Sequence, residues 1–257
     1  MTNDLSGRTA VITGAGALPG RGMGRMICQA IGALGANIIA ADIDFESATR
    51  TAEILQNEGV NAVAVHADVT DGDAVRKMYD TAIAEFGRLD ILVNHAGFGS
   101  YNSITETDDE LWYRMINLNL TAPFLATRQV LPHMLERGSG VIINTISSAG
   151  LAGGRAGAAY TAAKHGLVGL TKNTAFVYGG RGIRAVGIAP GYTRSGDAPQ
   201  ISTSDSETKP LLDPVADLSV RNGKPEEVAA AFAFLASDAA SYVNGVILPV
   251  DGGWTSF

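Results

Sequence analysis

Thr9-Ala10-Val11-Ile12-Thr13-Gly14-Ala15-Gly16-Ala17-Leu18-Pro19-Gly20-Arg21-Gly22-Met23-Gly24 starts as a short apolar, β-branched run and ends in glycines. The run reads as a buried strand. Over residues 25–34, apolar side chains recur at 27, 30, 31 and 34, the period of one helix face. A strand that passes through glycines into a helix N-terminus collects backbone N–H groups and a favourable dipole at one point, where a phosphate can lie against the chain. A second strand, 37–41, closes on Asp42, which stands 20 residues after Gly22, where a carboxylate can grip ribose hydroxyls. The stretch predicts dinucleotide binding.

The same alternation repeats outward from there. Helices are expected at 45–57, 73–86, 108–135 with a bend near Pro123, a stretch carrying Tyr160 to about Tyr178, and 225–237 behind Pro225. Strands are expected at 62–66, 90–93, 141–146, 183–188 and 246–250. Alternating α and β with fully apolar strands predicts an α/β fold, a three-layer doubly wound parallel sheet of about seven strands flanked by helices. Ligands in such sheets bind at the carboxyl ends of the strands. The 257 residues read as a single domain, 1–257. Residues 192–222 break the rhythm with Ser, Asp and Pro, and a connection this long suggests a substrate lid.

Composition narrows the function. Hydrophobic residues make up 46%, enough for a large core, and 31 glycines imply many turns and close backbone approaches. A formal net charge of −7 without a Lys/Arg block argues against nucleic-acid or anionic-membrane partners and for a small-molecule substrate. The N-terminus shows no cationic leader before an apolar run, and no stretch of 18 apolar residues occurs, so a cytoplasmic protein is expected. Cys28, the single cysteine, sits at a small apolar helix position. The four histidines show no metal-ligand spacing, and no metal is expected.

Tyr160 and Lys164 stand four apart in Ala-Tyr-Thr-Ala-Ala-Lys. On a helix both project from one face. A phenol has a pKa of about 10, and a neighbouring ammonium favours its phenolate, which makes Tyr160 a candidate acid/base. A bare Tyr-x-x-x-Lys is also the pattern of a packing tyrosine and a solvated lysine, so its neighbours must decide.

Those neighbours resemble the short-chain dehydrogenase/reductase superfamily in its single-domain Rossmann-fold form, nearly end to end. The family's phosphate motif, Thr-Gly-x-x-x-Gly-x-Gly, aligns on Gly14, Gly22 and Gly24 around Met23, with seven residues between Gly14 and Gly22 and hence four inserted. A rival register uses Gly16, Gly20 and Gly22, but the eleven positions from Gly24 to Gly35 favour the first. Asp42 resembles the family's NAD-selecting acid, because a carboxylate there faces and repels the extra phosphate of NADP. Arg21, directly before Gly22, is a basic residue where NADP-using members often carry one, and NAD is the expectation. Asp68-Val69 resembles the adenine contact. Asn94-His95-Ala96-Gly97 resembles Asn-Asn-Ala-Gly, with Asn94 bracing the sheet, Ala96 and Gly97 close to the cofactor ribose, and His95 packing or bonding locally. Pro190-Gly191-Tyr192-Thr193-Arg194-Ser195 resembles the Pro-Gly motif that orients the nicotinamide amide.

The resemblance also supplies a catalytic tetrad. Ser147 precedes Tyr160 by thirteen residues, with Ser148 as fallback, and Asn119 follows Asn94 by 25, with Asn117 competing. Asn119, Ser147, Tyr160 and Lys164 imply hydride transfer between nicotinamide and a secondary alcohol or ketone, with Tyr160 exchanging the hydroxyl proton. Ser147 would bond the same oxygen, Lys164 would lower the Tyr160 pKa and hold the nicotinamide ribose, and Asn119 would hold a relay water. The resemblance also implies a homotetramer through the helices at 118–130 and 166–176. A nucleotide-binding regulatory or scaffold protein without turnover is the rival reading, and the complete tetrad speaks against it. An epimerase or dehydratase would need a larger C-terminal substrate region than this sequence is expected to hold.

Overall fold

The strand that opens the sequence argument forms as β1 (Thr9–Thr13), buried along its whole length. In this computed structural model, residues 3–16, 22–193 and 206–256 are described. The insertion Ala17 to Arg21, Arg194, Ser195 and the middle of the expected lid lie outside them. Among the described residues, β1 joins β2 (Asn37–Asp42), β3 (Ala62–His66), β4 (Ile91–Asn94), β5 (Gly140–Thr145), β6 (Ile183–Pro190) and β7 (Ile247–Val250) in one parallel sheet of order β3-β2-β1-β4-β5-β6-β7. Chain direction across the sheet reverses between β1 and β4, which opens a crevice at their carboxyl ends.

Strand alternation sends Ile12 to one face and Val11 to the other. Ile12 meets Ile27 and Ile31 of α1 (Met23–Gly32), Leu55 of α2 (Phe45–Asn57) and Phe232 of α8 (Pro225–Ala236). Val11 meets Met78 of α3 (Gly72–Phe86), Val130 and Met134 of α5 (Ala122–Arg137) and Ala175 of α6 (Ala158–Gly179). Three layers follow, as the apolar strands require. Among the described residues no helix is long and apolar enough to cross a membrane.

Four local departures from the sequence reading bear on the site. Helix α1 begins at Met23, two residues before its apolar periodicity, so Gly22 is its N-cap and Met23 and Gly24 its first turn. The expected helix 108–135 divides into α4 (Asp109–Ile116), a π turn Asn117–Thr121 and α5. Pro123 lies in the first turn of α5, so the interruption is the wide turn before it rather than the proline. Strand β6 continues to Pro190, which pairs with Val250, so the Pro-Gly motif ends a strand instead of following it. Within 192–222 lies a helix, α7 (Lys209–Ala216), that no apolar period announced.

Candidate active site

A cavity of about 860 Å³ opens at the carboxyl ends of β1, β2, β3 and β4. Gly14, Gly22 and Met23 form its floor, Asp42, Asp68 and Val69 one end, and Ala96, Gly97 and Thr193 the other. Gly14 holds a positive φ of 69°, and a Cβ there would lie 2.8 Å from Cα of Ala96. Only glycine fits both demands. Gly24 lies beneath the surface, where a Cβ would collide with the carbonyl oxygen of Gly14. It sets how closely α1 approaches the turn.

Asp42 has a structural task the sequence did not reveal. Its Oδ2 accepts the Gly16 N–H at 2.8 Å and its Oδ1 the Asp44 N–H at 2.9 Å, which folds the glycine turn against the end of β2. Gly16 thus belongs to the cleft. Ile43 joins it too, 64% exposed beside Asp42, as does Arg114, stacked over the Phe98 ring at 4.7 Å. Gly16 and Ile43 adjoin predicted residues; Arg114 carries no motif, and only the α4 packing brings it there. Asp68 accepts the N–H and hydroxyl of Thr70 at 2.9 and 2.6 Å, which fixes the turn after β3.

Behind the cleft, Asn94 donates to Asn144 Oδ1 at 2.8 Å, and Asn144 donates to Thr171 Oγ1 at 2.9 Å. This buried ladder ties β4, β5 and α6 together. Thr13 Oγ1 accepts the His95 and Ala96 N–H groups at 3.0 and 3.1 Å and so anchors the next turn to β1. His95 Nδ1 lies 3.2 Å from Thr145 Oγ1, and its ring meets Phe232 edge-on. Burial first, then the charge of Lys164, push the imidazole down to about 4, so it is neutral at working pH.

The four tetrad residues converge beside Gly97 and Gly99. Lys164 is only 3% exposed; its Nζ donates to the Thr145 carbonyl at 2.8 Å and sits 5.4 Å from the Tyr160 ring centroid. Burial pushes its ammonium down to about 7. Burial pushes the Tyr160 phenol up to about 12, against a lowering hydrogen bond from Ser147, with Tyr101 adding a smaller upward push. Lys164 does not figure among the groups that lower it, so the depressed phenol expected from the pair is not met here: desolvation outweighs a cation that is itself near neutrality. Ser147 Oγ accepts the Ala149 N–H at 3.1 Å. Ser148, the fallback, is buried in the 3₁₀ turn 148–150.

The π turn points Asn119 inward, fully buried, where its Nδ2 donates to the carbonyls of Met115 and Phe98 at 3.1 and 3.2 Å. Its Oδ1 has no partner among the described residues. A Cβ on Gly97 would lie 2.7 Å from that oxygen and 3.8 Å from Lys164 Nζ, while one on Gly99 would lie 3.9 Å from the Tyr160 ring. Asn117, the competitor, faces the cleft instead. Pro190 and Gly191 do not line the cavity. Gly191 donates to the Val250 carbonyl at 3.1 Å, and a Cβ on it would lie 2.8 Å from Cα of Asp251. Of that motif, Thr193 reaches the cleft, its Oγ1 bonded to the Gly191 carbonyl at 3.1 Å.

The site thus joins a glycine-floored cleft with a carboxylate at one end to a half-buried phenol and hydroxyl and a buried ammonium and amide at the other. Residues 16–255 match the family model described as enoyl-(acyl carrier protein) reductase. The chain is 40% identical over 255 residues to 3beta-hydroxysteroid dehydrogenase 2 of Eggerthella lenta, covering 98% of this chain and 96% of that one. It is 39% identical to cis-4-hydroxycyclohexanecarboxylate dehydrogenase of Sinomonas cyclohexanicum, covering 97% of each. The crystal structure of levodione reductase superposes with a TM-score of 0.86 at 33% identity over 98% of both chains.

Proposed function

The chain belongs to the short-chain dehydrogenase/reductase superfamily, and from that premise we propose that it is an NAD(H)-dependent oxidoreductase that interconverts a secondary alcohol and its ketone. The observation that carries the reading is the junction at Gly97. There the Asn119 Oδ1 and Lys164 Nζ lie behind Gly97, at the end of a cleft where Gly14 and Gly97 leave no room for a side chain. A nicotinamide dinucleotide fits that donor set: phosphate against the α1 N-terminus, adenosine ribose at Asp42, adenine beside Asp68 and Val69, nicotinamide ribose near Tyr160 and Lys164. Asn94 acts from behind as a brace, Gly24 from beneath, and Pro190 and Gly191 through Thr193. When bound, the nicotinamide accepts or gives the hydride.

The chain's own residues handle the proton. Tyr160 takes the alcohol proton, and Ser147 holds the same oxygen as charge builds on it. Lys164, held by the Thr145 carbonyl, would bond the nicotinamide ribose beside Tyr160, and Asn119 Oδ1 offers the acceptor that a relay water needs. Asp42 selects NAD over NADP by facing a 2′-phosphate with a carboxylate. A homotetramer in the cytoplasm completes the proposal. Both relatives' names describe ring alcohols, and Tyr101 stands near Tyr160, so cyclic secondary alcohols are the substrates to try first.

The test follows reduced nicotinamide by absorbance across cyclic and open-chain secondary alcohols, their ketones, and an enoyl thioester, with NAD(H) and NADP(H) in parallel. Turnover with NAD(H) that falls by about 10³ or more in Tyr160→Phe, with NADH affinity kept, is expected. Turnover retained in that variant overturns the mechanism. NADH binding with no turnover on any ring or open-chain alcohol favours the binding-protein reading.

A further inference from the structure

Glu106 takes no part in the chemistry above, yet its carboxylate accepts three hydrogen bonds near the site. Its Oε2 accepts the Ser103 N–H at 2.8 Å and the Ser206 hydroxyl at 2.7 Å, and its Oε1 accepts the Glu207 N–H at 2.7 Å. Two of these three bonds span about a hundred residues. They join the loop after β4 to the start of the arm 206–222. The arm adds its own bonds: the Thr208 hydroxyl donates to the Tyr101 carbonyl at 2.5 Å, and Thr105 donates to the Glu207 carboxylate at 2.7 Å.

The same loop continues the connection to the chemistry. Ser100 and Asn102 carbonyls accept the Gly157 and Ala158 N–H groups at 2.7 and 3.0 Å, docking the loop on the first turn of α6, which carries Tyr160. Gly157 permits this approach, since a Cβ there would collide with the Asn102 carbonyl. Between these two seams stands Tyr101, close enough to act electrostatically on Tyr160 and, in turn, to feel Tyr192. Further along the arm, the Val215 carbonyl accepts the indole N–H of Trp254 at 2.7 Å, and Arg155 stacks on that ring at 4.6 Å. The arm is therefore moored at Trp254 and at the loop, and at the loop Glu106 holds Ser206 and Glu207 beside the direct bonds from Ser206 and Thr208 to the Tyr101 carbonyl.

We propose that Glu106 is a positioning residue for the alcohol substrate: it ties the arm at Ser206 and Glu207 to the loop that carries Tyr101, so that both walls beside Tyr160 are held as one unit. Three accepted hydrogen bonds hold its carboxyl down to about 2, so the tie keeps its charge throughout the working pH range. The kinetic half of the inference rests on the dehydrogenase reading; the structural half does not.

The test compares Glu106→Ala and Glu106→Gln with the wild type on the alcohol the wild type oxidises fastest, with NADH affinity, melting and amide exchange measured alongside. In the alanine variant, KM for alcohol rises about ten-fold, equivalent to about 1.4 kcal/mol, while kcat stays within about three-fold. Exchange at the Ser103 and Glu207 amides speeds up about ten-fold or more, and NADH affinity is unchanged. Glutamine, which keeps an acceptor, restores part of the KM. Unchanged KM, unchanged exchange at those two amides, or NADH affinity and melting that fall in step with KM overturns the assignment. If the wild type oxidises no alcohol, the functional reading fails by itself, and the two amides alone decide whether the tie exists.

Discussion

Lys164 shows what the site costs the fold. A lysine ordinarily titrates near 10.4, and burial has pushed this one down to about 7. Below pH 7 it is charged in both folded and unfolded chains, and the folded state bears the full desolvation penalty. Between about 7 and 10 the unfolded chain alone holds the proton, so stability rises with pH through that window. Lys164→Met should therefore melt higher than wild type at pH 6.5, by about 2–4 °C for each 1 kcal/mol recovered. The gap should close toward pH 10, and turnover should be lost at every pH. Calorimetry of both proteins across that range decides it; a variant that melts lower at pH 6.5 means the bond to Thr145 matters more than the buried charge. The Tyr160 phenol, pushed up to about 12, gives a second sign. Alcohol oxidation needs the ionised form, so its rate should climb through pH 7 to 10, while ketone reduction stays nearly flat. A bell centred at 7 for oxidation contradicts this. Asp42→Asn removes the repulsion, while its single amide oxygen can accept from Gly16 or from Asp44 but not from both. Its NADP affinity should rise about ten-fold or more relative to NAD, with NAD affinity falling because the carboxylate that grips the ribose hydroxyls is gone, read by NADH and NADPH titration.

The β/α elements were legible because their signals are local. The run 9–13, its glycines and the period at 27, 30, 31 and 34 foretold β1, the turn and α1 within two residues at the helix start. The π turn was not legible. Asn117-Leu118-Asn119-Leu120-Thr121 looks like ordinary helix, and the wide turn accompanies the bond from Asn119 to the Phe98 carbonyl, a contact 21 residues away that no local pattern announces. Helix α7 stayed hidden for the same reason, since its mooring to Trp254 and Glu106's tie to Ser206 join residues far apart in sequence. The glycines were legible as a class, but not their separate tasks. Gly24→Ala tests one of them. With no space between α1 and the Gly14 carbonyl, the methyl must push the helix off the strand. NADH affinity should fall about ten-fold or more and melting should drop, whereas Gly169→Ala, in open space on α6, should leave NADH affinity unchanged. Equal NADH affinity in the two variants removes the claim that Gly24 spaces the phosphate turn.

At the scale of the whole molecule, the sheet order and the reversal between β1 and β4 explain why phenol, ammonium, amide and carboxylate all reach one edge: each lies at or just beyond a strand's carboxyl end, or on a helix packed against it. That convergence was foreseeable from the β/α alternation alone, while the part of the cavity wall made by Arg114, Asn117 and Leu118 was not, because α4 and the π turn reach it only by packing. The outer surface carries one more consequence. Phe176 is 89% exposed on α6, Val177 beside it is exposed, and Trp112, Tyr113 and Phe124 are exposed on α4 and α5, with α4 packed on α6. Exposed large apolar side chains on these helices suit self-association, and Phe176 is the most exposed of the five. If two copies meet there about a two-fold axis, the interface buries two Phe176 side chains, one from each copy. Burying one phenylalanine contributes about 1.5–3 kcal/mol, so the symmetric pair contributes about twice that. Phe176→Glu should then weaken association by about 10²–10⁴. Sedimentation at micromolar concentration should show the wild type as a tetramer and the variant as a smaller species, with NADH affinity intact because Phe176 lies outside the cavity lining. A wild type that sediments as a monomer, or a variant that stays tetrameric, means this face is not where the copies meet.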